Sequence, residues 1–189
     1  MSRIISGQAG SIRLKSAASS TRPTSDRVKE SLFAALEARD LLESAKVLDL
    51  YAGTGALALE ALSRGAKSAV LVEKNPDAHK ISSDNTKVVL AALAKSDSDA
   101  SAQNLKIDAA KYLKTSNEIF DLVLIDPPYE FQNELLLAQL DELEQRVAEG
   151  GIVVIERSAR TAEIAIPTWL EKISNKAVGE TRVAIYRKN

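Results

Sequence analysis

The residues best suited to chemistry are the consecutive Asp126, Pro127, Pro128 and Tyr129. They follow the apolar, β-branched run Phe120–Ile125, which predicts a buried strand. Two consecutive prolines cannot donate to a sheet, so we expect the strand to end there. The chain then presents a carboxylate, rigid carbonyls and an aromatic ring at the carboxyl end of a strand, where open α/β sheets bind ligands.

This arrangement suits the methylation of a planar exocyclic amine. The lone pair of such an amine is delocalised into its ring, which makes the nitrogen a poor nucleophile. An Asp126 carboxylate and a Pro127 carbonyl that hold the amine hydrogens would favour a pyramidal nitrogen, whose lone pair points at a methyl donor. Tyr129 would offer the base a stacking face. These four residues alone also fit a rigid turn with a packed tyrosine.

A glycine turn after an earlier strand predicts where a cofactor binds. Gly53 and Gly55 let the backbone approach a ligand closely, and the helix that follows offers free N–H groups. The spacing Gly53-x-Gly55-x-x-Ala58 also fits a dinucleotide-binding fingerprint. Asp49, before the glycines, can reach across the turn to a ligand or brace the loop, and both roles are compatible. No further glycine supports the packing of a pyrophosphate.

Acidic residues after two further strands extend this predicted cofactor site. Glu73 ends the second strand about 20 residues after the glycines, where an acid accepts hydrogen bonds from ribose hydroxyls. Asp108 and Ala109 follow the third strand, where an adenine edge would lie. Glu73 could instead place a charge at the next helix start, and Asp108 could be a helix N-cap.

The elements that position these residues alternate between strand and helix. This alternation predicts an α/β, doubly wound, mostly parallel sheet with a C-terminal antiparallel hairpin. An N-terminal hairpin is predicted at 3–6 and 11–15, and a small-residue linker at 16–20. A helix should begin at Thr24 or Ser25. Further strands are predicted at 47–51, 68–73, 105–107, 120–125 and 152–156 and in the hairpin 170–188. Helices are predicted at 56–63, 76–93 (capped by Asn75), 109–113 and 134–147. A loop is predicted at 95–103, and the glycines at 150–151 are predicted to end the last helix.

Composition narrows the classes of function. With 189 residues and 45% hydrophobic content, one domain with an ordinary core is expected. There is no cysteine, which excludes disulfides, thiolate metal sites and attack on a pyrimidine through a thiolate. With the single histidine, His79, no transition-metal site is expected. No apolar run has membrane-spanning length and no signal-peptide core is present, so we expect a cytoplasmic protein with no membrane partner.

The net charge of −1 is unevenly distributed. The first 30 residues carry six basic and two acidic side chains, so the rest of the chain carries a net charge of −5. A basic arm on an acidic body predicts contact with a polyanion from one side, although a solvated basic tail is an equal alternative on charge alone.

At this point the chain resembles the bacterial 16S rRNA guanine-N2 methyltransferases of the RsmD type over nearly its whole length. The specific part is Thr-Arg-Pro-Thr-x-Asp-Arg-Val from Thr21 to Val28, because many amine methyltransferases share the glycine loop and Asp-Pro-Pro-Tyr. The other matching segments are 3–7, 49–57, 60–66 and 120–129. Ala58 stands where the family usually has glycine, and Ser11-Ile12-Arg13 replaces a more basic stretch.

The resemblance implies a seven-stranded Rossmann-like methyltransferase sheet with an N-terminal β-hairpin extension. It predicts an arm and linker at 1–20 and a methyltransferase domain at 21–189. S-adenosylmethionine would be the methyl donor and S-adenosylhomocysteine the product, and no metal would be needed. The acceptor would be a guanine of 16S rRNA or of the assembling small subunit. A monomer is expected. The implied contacts are Asp126, Pro127, Pro128 and Tyr129 for catalysis; Asp49, Tyr51, Gly53, Thr54, Gly55, Glu73, Lys74, Asp108 and Ala109 for the cofactor; and Arg3, Arg13, Arg22, Thr24 and Arg27 for RNA.

Several alternatives remain open at this stage. The same tetrapeptide serves adenine-N6 methylation of DNA or RNA. The glycine spacing with Glu73 fits an NAD-dependent oxidoreductase, and the basic arm fits a non-catalytic RNA-binding module. Arg22 and Arg27 could hold phosphates, brace Asp126 or be surface charges beside a helix cap.

Overall fold

A computed structural model of the chain describes residues 2–16, 26–128, 130–162 and 164–189. A mixed sheet with helices on both faces forms its centre. The strands are β1 Ser2–Arg3, β2 Arg13–Leu14, β3 Lys46–Asp49, β4 Ser68–Val72, β5 Ser101–Leu105, β6 Phe120–Ile125, β7 Val147–Ser158, β8 Leu170–Val178 and β9 Thr181–Lys188. The helices are α1 Asp26–Glu37, α2 Ala56–Ser63, α3 Pro76–Leu93, α4 Ala109–Thr115 and α5 Asn133–Leu143, with 3₁₀ turns at Ala94–Ser96 and Glu144–Arg146.

The order of the strands creates the crevice in which a ligand can bind. The sheet runs β5-β4-β3-β6-β7-β9-β8. Strands β3 to β7 pair in parallel, and β9 pairs antiparallel with both β7 and β8. The chain moves outward from β3 through β4 and β5 and then returns to the other side of β3 with β6. Such a reversal opens a crevice at the carboxyl ends of the two central strands. The predicted doubly wound sheet with its closing hairpin is confirmed.

Alternation along the strands divides the core between the two faces of the sheet. Val47 packs with α1, α2 and α3, whereas its neighbour Leu48 packs with α4 and α5. Both faces of β3 are therefore apolar, as a central parallel strand covered by helices requires. Val28, Leu32 and Leu36 recur at helical spacing on α1 and are buried in the first of these clusters, and Ala35 packs partly buried against it.

Local signals determine the helices beside the crevice. The predicted bounds of α2 and α3 match the observed bounds. Asn75 accepts hydrogen bonds from the N–H groups of Asp77 and Ala78, and Pro76 occupies the first helical turn. The predicted cap of α1 at Thr24 or Ser25 lies outside the described residues.

The N-terminal hairpin packs into the main core. Strands β1 and β2 pair antiparallel, and Ile4, Ala9 and Leu14 join the cluster around α1 and α2. Gly7 has a φ of +83°, and a Cβ there would lie 2.0 Å from the Ser63 carbonyl oxygen, so only glycine permits this approach. The hairpin is therefore seated on α2. The proposed boundary at residue 20 lies outside the described residues and stays a prediction.

The predicted loop at 95–103 and strand at 105–107 were partly wrong. The strand β5 occupies Ser101–Leu105 and pairs in parallel with β4. Its sequence is polar because β5 is an edge strand, which does not need two apolar faces. Asn104, on this strand, donates to the Ser82 hydroxyl at 2.8 Å instead of facing an apolar core.

The predicted helix at 134–147 and strand at 152–156 also had wrong bounds. Helix α5 ends at Leu143, and β7 begins at Val147 and continues through Gly150 and Gly151. Phe120 pairs with Val147 and Leu122 with Ile152, so β7 bulges between these two pairs. The glycines serve that bulge and do not stop the helix, because pairing with β6 outweighs local propensity.

Candidate active site

The candidate site lies at the carboxyl ends of three neighbouring strands. Asp49 at the end of β3 pairs in register with Leu71 of β4 and Leu124 of β6. The glycine turn follows β3, Glu73 follows β4, and Asp126 follows β6. The fold thus brings the predicted donor site next to the turn at 126–128 that is predicted to bind the amine, which we call the amine turn.

The glycine turn has the backbone conformation that its sequence predicts. Gly53 and Gly55 have φ values of +53° and +82°. Gly55 begins α2, and its N–H donates to the Ala52 carbonyl at 2.6 Å. A Cβ on Gly55 would lie 2.9 Å from the Ser82 hydroxyl oxygen. A side chain at Gly55 would therefore be both strained and crowded.

Glu73 connects the glycine turn to the start of α3. One carboxylate oxygen accepts the Gly53 N–H at 2.9 Å, and the other accepts the Asn75 N–H at 2.7 Å. The Asn75 side chain caps α3, so Glu73 is not needed as the helix cap. The Glu73 carboxylate instead holds the glycine turn. This position suits an acid that orders the turn around a ligand. Its contact with a ribose stays a prediction.

Asp49 is a buried carboxylate with one unused oxygen. Its Oδ2 accepts the Ala58 N–H at 3.3 Å, which is the loop-bracing role proposed from the sequence. Its Oδ1 is buried and has no hydrogen-bond partner among the residues that the structure describes. Burial, followed by the nearby Asp126 carboxylate, raises the pKa of Asp49 to about 7, and Glu73 adds to this shift. A ligand that brings a cation or an N–H group would satisfy this oxygen.

This raised pKa predicts that ligand binding depends on pH. The folded protein holds a proton on Asp49 up to about pH 7, whereas an unfolded chain releases it near about pH 4. Asp49 therefore lowers the stability of the ligand-free protein as pH rises through that window. A cationic ligand favours the ionised form, so its affinity should rise by up to about tenfold per pH unit below the raised pKa and then level off.

Calorimetry with S-adenosylhomocysteine, which carries an ammonium group, tests this expectation across that pH range. The Asp49→Asn protein is the matched control, because it has the same shape and cannot titrate. We expect its affinity to be weaker and its pH dependence to be flat. An equal pH dependence in both proteins would assign the titration to another group.

The remaining predicted cofactor residues have several structural roles. Asp108 is the N-cap of α4, and its Oδ1 accepts the N–H groups of Ala110 and Lys111. Its Oδ2 lies 4.0 Å from the exposed Lys74 ammonium. Ala109 is buried. The Thr54 carbonyl accepts a hydrogen bond from the side-chain amide of Asn85 at 2.9 Å. The helix-cap interpretation of Asp108 is confirmed, and a contact with adenine stays a prediction.

The segment after β6 leaves the sheet where the prolines predict. Strand β6 ends at Ile125, Pro127 is buried and Pro128 is exposed. The Pro128 carbonyl accepts the Phe131 N–H at 2.9 Å, so it belongs to the turn itself. The predicted acceptors for the amine are the Asp126 carboxylate and the Pro127 carbonyl. Tyr129 lies outside the described residues.

Contacts that the sequence did not predict hold the segment after this turn. The Tyr51 hydroxyl donates to the Gln139 amide oxygen at 2.7 Å, and its ring packs edge-on against Phe131 at 5.4 Å. Burial raises the pKa of Tyr51 to about 12. The Arg157 guanidinium donates through Nη2 to the Phe131 carbonyl at 2.7 Å and to the Asn133 side chain at 3.2 Å. Tyr51 thus supports the amine turn, and its predicted cofactor contact is untested.

The predicted RNA-binding residues that the structure describes lie on the N-terminal hairpin and on α1. Arg3 and Arg13 are exposed on β1 and β2, and Arg27 is exposed in the first turn of α1. The Arg3 guanidinium lies 3.5 Å from the Asp26 carboxylate. Their contact with RNA stays a prediction. Arg22 and Thr24 lie outside the described residues.

A buried carboxylate anchors that surface and was also missed. Glu60 in α2 is fully buried and accepts the N–H groups of Ile5 at 2.7 Å and Ser6 at 3.1 Å. It also pairs with Arg64 at 2.7 Å. An acid in the otherwise apolar run 56–62, with an arginine four residues later, is the signal that could have identified it.

The described residues contain neither a membrane-spanning helix nor a cluster of metal-binding side chains. In the part of the chain that the structure describes, no helix is long and apolar enough to cross a membrane. Among the same residues, no group of three or more histidine or acidic side chains is placed to bind a metal ion.

Known proteins resemble this chain over almost its entire length. The family model described as "Conserved hypothetical protein 95" matches residues 2–187. YlbH of Bacillus subtilis is 34% identical, with 98% of each chain covered. Ribosomal RNA small subunit methyltransferase D of Escherichia coli is 30% identical, covering 88% of this chain and 79% of that protein.

Solved structures confirm the fold, and the family model with the curated relatives shows the family. The structure of yhhF from Escherichia coli matches with a TM-score of 0.79 and 27% identity, covering 99% of this chain and 97% of the other. An RNA methyltransferase of Salinibacter ruber, solved with S-adenosyl-L-homocysteine, shares the fold with a TM-score of 0.63 and 18% identity, covering 88% and 94%. The chain belongs to the family described as conserved hypothetical protein 95, the RsmD-type S-adenosylmethionine-dependent methyltransferases.

Proposed function

We propose that this protein transfers a methyl group from S-adenosylmethionine to the exocyclic N2 amine of a guanine in small-subunit ribosomal RNA. The observation that carries the proposal is the juxtaposition of two turns at neighbouring strand ends. The Asp126 turn follows β6 directly beside the glycine turn that follows β3. A donor and an amine held at these two positions would be next to each other.

The residues of the glycine turn fit the cofactor. Gly53 leaves its backbone accessible, since among the described residues a Cβ there would meet only the Tyr51 carbonyl oxygen at 3.9 Å, and Glu73 is positioned at the turn by two backbone N–H groups. The unused Oδ1 of Asp49 would accept a hydrogen bond from the cofactor's ammonium group. When bound, S-adenosylmethionine supplies an electrophilic methyl group on its sulfonium sulfur. Asp49, Gly53, Gly55 and Glu73 would hold it, with Asp108 and Ala109 at the adenine.

The Asp126 turn would prepare the acceptor for direct transfer. Its carboxylate and the Pro127 carbonyl would accept the two amine hydrogens and free the nitrogen lone pair. The same carboxylate would stabilise the positive charge that develops on the nitrogen. Arg157 and Tyr51 keep the following segment in place, which preserves the geometry on which in-line transfer depends. Tyr129 would stack on the base.

Ribosomal RNA is the proposed substrate because of the relatives and the basic hairpin. The Escherichia coli relative is named a ribosomal RNA small subunit methyltransferase. Arg3 and Arg13 lie exposed on a hairpin that Glu60 holds against α2, so they could contact RNA phosphates without first becoming ordered. A cytoplasmic monomer that acts on 16S rRNA or on the assembling subunit completes the proposal.

The main alternatives from the sequence are less well supported. The spacing Gly53-x-Gly55-x-x-Ala58 fits an NAD-dependent oxidoreductase as well, but the relatives that match this chain over most of its length are named as rRNA methyltransferases. An adenine-N6 methyltransferase would use the same turn, so only the product distinguishes it from a guanine enzyme.

Two assays test the proposed donor and acceptor. Calorimetry with S-adenosylhomocysteine and with NAD should show binding of the first alone. Labelled S-adenosylmethionine should then transfer its methyl group to small-subunit RNA or to partly assembled subunits. Binding of NAD alone would indicate an oxidoreductase. RNA binding that is insensitive to S-adenosylhomocysteine, without methyl transfer, would indicate a non-catalytic binding module.

A further inference from the structure

A basic cavity lies at the same edge of the sheet, on the far side of the amine turn from the glycine turn. It is bounded by the start of α5, the end of β7, the loop after β7 and the facing residues of β8 and β9. Its volume is about 70 Å³. Because one water needs about 10–15 Å³ on this measure, the cavity has room for several waters or for a phosphate group.

The lining of the cavity favours an anion. Among the described residues that line it, the charged side chains are all basic: Arg157, Lys172 and Arg182. Asn133 and Asn175 add amide groups that can donate. The Arg157 guanidinium lacks an acceptor for one of its nitrogens among the described residues. Its Nη2 is engaged by the Phe131 carbonyl, but its Nη1 is buried and has no hydrogen-bond partner among the described residues. A buried guanidinium N–H without an acceptor costs free energy, so an acceptor from a ligand would be stabilising.

The position of the cavity relates it to the substrate. The ends of β3, β4 and β5 form the proposed cofactor side, β6 carries the amine turn, and β7, β9 and β8 line the cavity. Arg157 lies two residues beyond Ile155, which pairs with Ile125 at the end of β6. A polymer whose base enters at Asp126 and whose backbone runs away from the proposed cofactor side would pass this cavity.

We propose that this cavity binds a backbone phosphate of the RNA next to the target nucleotide. The proposal rests on the proposed function and adds a contact to it. The phosphate would accept hydrogen bonds from Nη1 of Arg157, with Lys172 at the exposed rim. Because Nη2 of Arg157 holds the segment after the amine turn, seating the phosphate would stabilise that segment in place. The hairpin surface lies on the opposite face of the sheet, so RNA would be held from two sides.

A purely structural role for Arg157 makes a different prediction. In that case Arg157 only fastens the segment at 131–133, and the charge of Lys172 is irrelevant to RNA binding. Phosphate contacts are recognised by salt dependence, since each contact that is lost lowers the slope of log affinity against log salt by about 0.7–0.9. Lys172 is the better test position, because it is exposed, whereas Arg157 also holds the segment at 131–133 through its hydrogen bonds.

The decisive experiment compares Lys172→Gln with Lys176→Gln in the full-length protein. Lys176 is a matched control, because it is exposed on the same strand and pairs with Val183, whose side chain faces the other side of the sheet. Affinity for a small-subunit RNA fragment is measured at several salt concentrations, together with methyl transfer.

We expect the Lys172→Gln protein to have a salt slope lower by about 0.7–0.9, a higher KM for RNA and an unchanged kcat. The Lys176→Gln protein should behave as wild type. Equal slopes in wild type and both variants, or an equal loss in both variants, would overturn the cavity proposal. If wild-type protein transfers no methyl group to RNA, the proposed function itself fails, and this outcome is distinct.

Discussion

Replacing Asp126 by alanine should lower kcat for methyl transfer by about 100- to 1,000-fold, the loss that follows removal of one preorganised charge-stabilising group in other enzymes. The carboxylate would accept a hydrogen bond from the amine and would stabilise the positive charge that develops on the nitrogen as the methyl group arrives. KM for RNA should change little, because the proposed phosphate contacts lie elsewhere. Single-turnover rates with saturating S-adenosylmethionine measure the effect directly.

The Asp126→Asn protein refines this prediction. It keeps the shape and one acceptor oxygen, so it should be impaired, although less than the alanine variant. In both variants the pKa of Asp49 should move toward its ordinary value, because the Asp126 carboxylate contributes to raising it. Affinity for S-adenosylhomocysteine below pH 7 should therefore be retained or rise. A near-wild-type rate in a folded Asp126→Ala protein would refute the proposed mechanism.

Replacing Glu60 by alanine should lower the free energy of unfolding by about 3–5 kcal/mol, as expected when one partner of a buried ion pair is removed. Glu60 is fully buried and accepts the Ile5 and Ser6 N–H groups as well as the Arg64 guanidinium. Without Glu60, the Ile5 and Ser6 N–H groups lose their acceptor, and the Nε of Arg64 loses its carboxylate partner. Urea denaturation followed by circular dichroism measures the change.

Glu37→Ala is the matched control for this prediction. Glu37 also pairs with Arg64, at 2.6 Å, but its side chain is 46% exposed. An exposed partner should contribute less than about 1 kcal/mol. Hydrogen exchange at Ile5 and Ser6 should accelerate in the Glu60 variant alone, since those amides lose their acceptor. Equal losses of stability in both variants would mean that Glu60 does not anchor the hairpin.

Local patterns predicted the parts of this molecule that depend on neighbouring residues. The bounds of β6 follow from an apolar run stopped by two prolines, and α3 follows from Asn75 and Pro76. The site could be anticipated because parallel strands place the residues that follow them at one edge. Asp49, Glu73 and Asp126 therefore converge although they are far apart in sequence.

Features that depend on distant partners could not be predicted in this way. Strand β5 is recognisable only from its pairing with β4, because an edge strand has no strong apolar pattern. Glu60 meets Ile5 across 55 residues, and Arg157 meets Phe131 across 26. The bulge in β7 depends on its register with Phe120. Each of these contacts is created by the packing of elements and leaves no periodic trace in the chain.

The Asp126 turn is proposed to hold the N2 amine of a guanine for methylation by S-adenosylmethionine. The most direct test is mass spectrometry of nucleosides released from small-subunit RNA after reaction with the wild-type and Asp126→Ala proteins. N2-methylguanosine formed by wild type, and strongly reduced with the variant, is the predicted result. N6-methyladenosine as the main product, or N2-methylguanosine at equal levels with both proteins, would contradict it.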